Sequence, residues 1–125
     1  MDSESLTEGT VEILALSARQ LAAYNAADLD AFCACFHERV TVIDESGAVT
    51  LEGQAAFRAR YAAMFSTFRD VRATVSARLA LGPHVVEHEA WSRVSRETSD
   101  KQSGLVLVRY SAAEGRIRWV QFFRS

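Results

Sequence analysis

From Val71 to the C-terminal end the chain is strand-forming almost without interruption. Four β-rich runs, Val71 to Leu81, His84 to Arg96, Ser103 to Ser111 and Arg116 to Arg124, are separated only by Gly82-Pro83, Glu97 to Gln102 and Ala112 to Gly115. Connections this short join neighbouring strands as hairpins, so the second half of the chain predicts an antiparallel meander. A sheet of that length must bury one face, and the first half supplies the helices to cover it. Val11, Leu14 and Leu21, with Ile13, Ser17, Gln20 and Tyr24, recur at helical spacing behind a Thr7 N-cap and predict a helix over about 7–25. Asn25-Ala26-Ala27 breaks it, and Asp28 caps a second helix in which Leu29, Phe32, Cys33 and Phe36 fall at i, i+3, i+4 and i+7. Val40 to Asp44 and Val49 to Leu51 flank the turn residues Glu45-Ser46-Gly47 and read as a small strand pair. Gly53 then precedes a third helix over about 54–67, with Phe57, Tyr61, Met64, Phe65 and Phe68 repeating every three or four residues. The order is α-α-β-β-α-β-β-β-β, an α+β fold with three N-terminal helices packed on a curved antiparallel sheet. It is expected as one domain over 1–125, with residues 1–6 a disordered N-terminus.

Composition narrows the partners. In 125 residues there are 14 Lys and Arg against 16 Asp and Glu, a net charge of −2 that gives no general attraction to nucleic acid. Apolar runs such as Leu105 to Val108 are far too short for a membrane span, which takes about 20 residues. The acidic opening Met1-Asp2-Ser3-Glu4-Ser5 lacks the positive start of a secretory signal, so the protein is expected in the cytoplasm. Cys33 and Cys35 point to nearly opposite sides of a helix and are expected to be small buried hydrophobes in a reducing compartment. No metal is expected: C-x-C without a second cluster is too little for zinc, and Glu87 and Glu89 flank His88 on a strand whose neighbours face opposite ways.

Three phrases carry a family resemblance: Tyr24-Asn-Ala-Ala-Asp-Leu-Asp-Ala-Phe32, Phe36-His-Glu-Arg-Val-Thr-Val-Ile-Asp44, and Leu51-Glu-Gly-Gln-Ala-Ala-Phe57. They resemble the opening of the NTF2-like superfamily, and within it the SnoaL-like and ketosteroid-isomerase-like proteins, over a stretch from about residue 10 to the C-terminus. The resemblance implies a cone-shaped apolar cavity between helices and sheet and a homodimer through the outer sheet face. It does not select an activity, because the superfamily holds isomerases, cyclases, dehydratases, hydrolases and non-catalytic transport or assembly modules.

Strand alternation sorts the sheet into two faces. Val86, His88 and Ala90 are expected on one face with Val106, Val108, Tyr110, Val120, Phe122 and Arg124, turned toward the helices. The other set includes Glu87, Glu89, Ile117 and an apolar group, Trp91, Leu105, Leu107, Trp119 and Phe123, too large to leave in water, which supports the dimer. A β-bulge reverses such assignments beyond it.

Asp44 is the first candidate for chemistry. The resemblance puts it where ketosteroid isomerases hold the carboxylate that moves a proton between carbons, and an apolar cavity mouth would raise its basicity. The competing reading has Asp44 capping the Glu45-Ser46-Gly47 turn or pairing with an arginine. The isomerase tyrosine position falls near Gln20 and its protonated acid near Val106, so steroid isomerisation by that mechanism is not expected. His88, pointing inward by alternation, is expected as the partner acid or base, against a reading as a satisfied core polar group. Gln20, Tyr24, Tyr61, Tyr110, Phe122 and Arg124 are expected to position the ligand, although Arg124 also suits a salt bridge to Asp44 or Glu38. Together these residues point to a proton-transfer enzyme of the isomerase, cyclase or lyase type, acting on a small apolar carbonyl or hydroxyl compound. No cofactor is expected, since such a step needs none and no Gly-rich phosphate loop is present. The alternative is a non-catalytic dimeric binding or assembly module whose interior is filled core.

Overall fold

The computed structural model describes residues 7–124. The expectation for residues 1–6 lies outside them. Helix α1 spans Glu8–Asn25, and the Thr7 hydroxyl accepts the Thr10 amide at 3.1 Å, satisfying one of the donors every helix start leaves free. Asp28 caps α2, Leu29–Ala34, by accepting the Ala31 amide at 3.1 Å. Strands β1, Phe36–Ile43, and β2, Val49–Glu52, come next, followed by α3, Gln54–Thr67. The meander is β3, Phe68–Leu81, β4, His84–Ser95, β5, Lys101–Ala113, and β6, Arg116–Arg124. Gly53 sits at the start of α3 with φ +88, a left-handed conformation that glycine reaches without a Cβ clash.

Among the described residues, six strands form one curved, unclosed sheet in the order β2-β1-β6-β5-β4-β3. Strand β2 lies at one edge and β3 at the other, so α3, which joins them, carries the chain across the sheet and roofs a space above it. One junction departs from antiparallel pairing: β1 runs parallel to β6, and the Ile117 amide donates to the Cys35 carbonyl at 2.9 Å. Turn signals describe only neighbours in sequence, so this pairing of early and late chain was not visible in them. It also starts β1 at Phe36, not Val40, because Phe36 pairs with Ile117 despite the polar His37-Glu38-Arg39 that follows.

Alternation along β4 runs one residue out of phase with the sequence expectation. Val85, Glu87 and Glu89 are the buried set, with Trp91 and Arg93 continuing it over the helix-covered face. His88 therefore lies on the outer face, opposite Leu107 on β5, with its Nδ1 2.7 Å from the Ser76 hydroxyl. Trp91 leaves the outer patch and lies inside, its indole flat over Gly104, where an added Cβ would come within 2.8 Å of the ring. The reason is polar pairing that hydropathy does not register. Glu87 Oε2 accepts from the Ser17 hydroxyl on α1 and from Arg78 Nε on β3, so a carboxylate fills a place where an apolar side chain is the default. Alternation holds for Val106, Val108 and Tyr110, all buried, but a bulge intervenes in β6. Ile117 opposes Ala112 while Trp119 opposes Ser111, so Arg118 is the extra residue, and Ile117 and Val120 both face inward.

Candidate functional site

Aromatic packing builds the floor. Phe32 on α2 lies 4.9 Å from Phe36, 5.7 Å from Phe57 and 4.7 Å from Tyr61, ring centre to ring centre, and Tyr24 on α1 lies 5.8 Å from Phe32. Aromatic pairs of this kind each add about 0.5–1.5 kcal/mol beyond the area they bury. Above it, between α1, α3 and the sheet, a pocket of about 320 Å3 opens. That is the low end of the range for small-molecule sites, about 300–1,000 Å3.

The pocket's acid is Glu89. It is 8% exposed, and among the described residues no arginine, lysine or histidine comes within salt-bridge distance. Its hydrogen bond comes from the Tyr110 hydroxyl, at a long 3.4 Å. Burial is the main force on its carboxyl and the nearby Glu87 charge adds to it, lifting the group to about 7 from an ordinary 4.5 against the smaller opposing effects of Tyr110 and Arg78. Burial likewise raises the Tyr110 hydroxyl well above its ordinary range, with the Glu89 charge second, so Tyr110 stays a neutral donor. Tyr61 and Tyr24 are shifted up by the same desolvation. Gln20 is 4% exposed and lines the pocket, and its amide has no hydrogen-bond partner among the described residues. A carboxyl poised near neutrality beside neutral donors can both take and return a proton.

Asp44 also lines the pocket, at the end of β1, but its carboxylate is engaged elsewhere. Asp44 Oδ1 accepts from the Ser46 hydroxyl at 2.6 Å, the Ser46 amide at 2.9 Å and the Ala48 amide at 3.1 Å. These bonds, the Ser46 hydroxyl foremost, hold its carboxyl below the usual range, which corrects the expectation of raised basicity. The turn-capping geometry is the one adopted.

Gln20, Tyr24, Tyr61 and Tyr110 meet at this one pocket, and Phe122 and Arg124 join them from β6. His88 does not, being on the other side of the sheet. Sequence reasoning missed Glu89, Trp91, Arg93 and Arg60, all of which line the pocket. A signal for Glu89 was present in the Glu87-His88-Glu89 phrase: if Trp91 and Val85 are taken as the buried set, both glutamates follow them inside. Among the described residues no three His, Cys, Asp or Glu side chains gather as a metal-ligand set, and no helix is long and apolar enough to cross a membrane.

Residues 18–124 match the SnoaL-like domain family. No curated protein matches the chain. Solved structures do: an uncharacterised cystatin-fold protein from Novosphingobium aromaticivorans is 24% identical with a TM-score of 0.82, over 90% of this chain and 97% of that one. A proposed SnoaL-like polyketide cyclase from Jannaschia sp. CCS1 is 14% identical with a TM-score of 0.80, over 97% and 90%. An LEH-like epoxide hydrolase from M. tuberculosis is also 14% identical with a TM-score of 0.80, over 93% and 84%. At these identities the likeness is one of fold.

Proposed function

The chain belongs to the SnoaL-like domain family, and from that premise we propose that its pocket binds a small, largely apolar molecule and moves a proton on it, with Glu89 as the acid–base group. The observation that carries this reading is a carboxyl buried on the pocket wall with no salt-bridge partner among the described residues, lifted to about 7 and hydrogen-bonded by a neutral tyrosine. In the ionised form Glu89 takes a proton from carbon next to a carbonyl, or from a hydroxyl, of the bound molecule. The charge that develops on the ligand oxygen is met by the Gln20 amide and by the hydroxyls of Tyr24 and Tyr61, and Tyr110 holds the Glu89 carboxylate in place. The protonated Glu89 then returns the proton to a second atom, which completes an isomerisation, a cyclisation or an elimination. Structural neighbours described as a polyketide cyclase and an epoxide hydrolase support small-molecule chemistry without selecting the reaction. In this reading Asp44 shapes the rim through its turn, and His88 belongs to the outer face.

Deuterium uptake at the activated carbon of β-tetralone, followed by NMR in heavy water, tests it. The parent protein should accelerate uptake over buffer, and Glu89→Gln should remove the acceleration, a general base being worth about 100-fold or more. Equal acceleration in both proteins would overturn Glu89 as the base, and a parent no faster than buffer would leave a binding module.

A homodimer is the second part of the reading. Leu105, Leu107, Trp119 and Phe123 remain on the outer face, with Leu105 58% exposed, and Leu79 and Leu81 on β3 extend the apolar surface there. A patch of that kind supports burial against a second copy. Sedimentation should give twice the chain mass, and Leu107→Glu should return it to the monomer.

A further inference from the structure

Three arginines stand around the same pocket from three different elements: Arg60 on α3, Arg93 on β4 and Arg124 at the end of β6. In a chain with net charge −2 this clustering runs against the overall balance. Among the described residues none of the three makes a salt bridge, whereas Arg58, Arg69 and Arg78 each do. The two acids at the pocket do not neutralise them. Asp44 is held by its turn, and Glu89 is a buried carboxyl bonded to Tyr110.

Arg93 is also fixed in place without a carboxylate. Its guanidinium lies 3.8 Å over the Phe68 ring and 5.1 Å from the Trp91 ring, and its Nε donates to Gln102 at 2.9 Å. Stacking of this kind orients a planar guanidinium and leaves its terminal nitrogens free, and among the described residues they have no acceptor. Arg124 is similarly laid over Phe122, at 4.5 Å. Oriented guanidinium groups with free donors are suited to a planar oxyanion, which they bind by charge-assisted hydrogen bonds. Inside this rim much of the wall is aromatic and apolar, and the Gln20 amide has no hydrogen-bond partner among the described residues. Polar recognition at the mouth and an apolar interior describe a ligand with two matching ends.

We infer that the pocket takes small organic acids, with a planar apolar body against the Phe32 and Tyr61 floor and a carboxylate at the Arg60, Arg93 and Arg124 rim. The inference rests on the small-molecule reading above and names the substrate class. It also orients the ligand, since anchoring the carboxylate at the mouth directs the rest of the molecule toward Glu89 and Gln20.

The test compares naphthoate with its neutral isostere naphthamide by isothermal titration. Naphthoate should bind about tenfold more tightly, the worth of one charge-assisted hydrogen bond, and added salt should erode the difference. The triple variant Arg60→Gln, Arg93→Gln, Arg124→Gln should bring naphthoate down to the affinity of naphthamide, and retained naphthamide binding shows that the variant is folded. Equal affinities in the parent, or a preference that survives the triple variant, overturn the acid inference and leave the pocket reading standing. If neither compound binds, the pocket reading falls and the inference with it. Glu89→Gln separates the two claims in the other direction: it should abolish tetralone exchange and keep the preference for naphthoate.

Discussion

Glu87 and Glu89 stand two residues apart on the same face of β4, yet the fold surrounds them differently. Glu87, fully buried, lies where α1 packs tightly on the sheet, and its Oε2 takes both the Ser17 hydroxyl and the Arg78 guanidinium. Its other oxygen has no partner among the described residues, so even this carboxylate is not fully satisfied there. Glu89 lies on the wall of the pocket between α1, α3 and the sheet, with one long bond from Tyr110 and, among the described residues, no salt-bridge partner. The same residue type on the same strand is an ion pair at one site and a carboxyl lifted toward neutrality at the next. What separates them is which side chains of α1, β3 and β5 bond to them, not any property of the strand.

The contrast can be broken most strongly at Arg78. Arg78→Met leaves Glu87 charged beneath α1 with only Ser17 as donor, and the protein should lose about 3 kcal/mol in denaturant unfolding, with Arg78's partial exposure keeping the loss at the low end for a buried pair. A loss too small to measure would show that the buried Glu87 does not depend on its contact with Arg78.

Glu89→Gln should act in the opposite direction. The folded protein keeps a proton on Glu89 up to about pH 7, whereas the unfolded chain releases it near 4.5. The folded state therefore binds the extra proton, its stability is complete below about 4.5, and stability falls as pH rises through 7. The glutamine variant escapes that fall. It should match the parent in acid and exceed it at pH 8 by up to about 3 kcal/mol, read from thermal or urea unfolding at both pH values. A stabilised variant that has lost exchange activity is the signature of a group kept for chemistry at a cost to the fold.

The smallest effect sharpens the comparison. Tyr110→Phe removes the bond that favours ionised Glu89, so the carboxyl midpoint should move above 7, and stability in alkaline solution should drop by about 1 kcal/mol. NMR titration of the Glu89 carboxyl carbon measures the first, and urea unfolding the second.

How much of this was legible before the structure depends on the range of each determinant. The caps at Thr7 and Asp28, the helical spacing of Ile13, Gln20 and Tyr24, and the turns at Gly82-Pro83 and Ala112 to Gly115 are local, and the helix starts and hairpins fall where they place them, whereas Phe36 and Phe68, read on helices, begin strands β1 and β3. The residues Gln20, Tyr24, Tyr61 and Tyr110 follow from helical and strand periods, and they do meet at one pocket. Periods fail where a face carries mixed signals. On β4 one set holds Val86, His88 and Ala90 and the other Val85, Glu87, Glu89 and Trp91, so alternation alone favoured the set without the glutamates. The bulge at Arg118 likewise depends on how β5 and β6 pair, and it turned Ile117 inward.

The sequence by itself determined the elements and their order, because caps, turns and apolar periods act over a few residues. Only the tertiary structure decided that Glu89 joins Asp44 at the pocket, and which of the two carboxyls is raised there. Burial, the partners of a carboxylate and its proton affinity are set by side chains such as Ser17, Arg78 and Tyr110, which lie far from β4 in the chain or across the strand pairing and come together only once the helices close over the sheet.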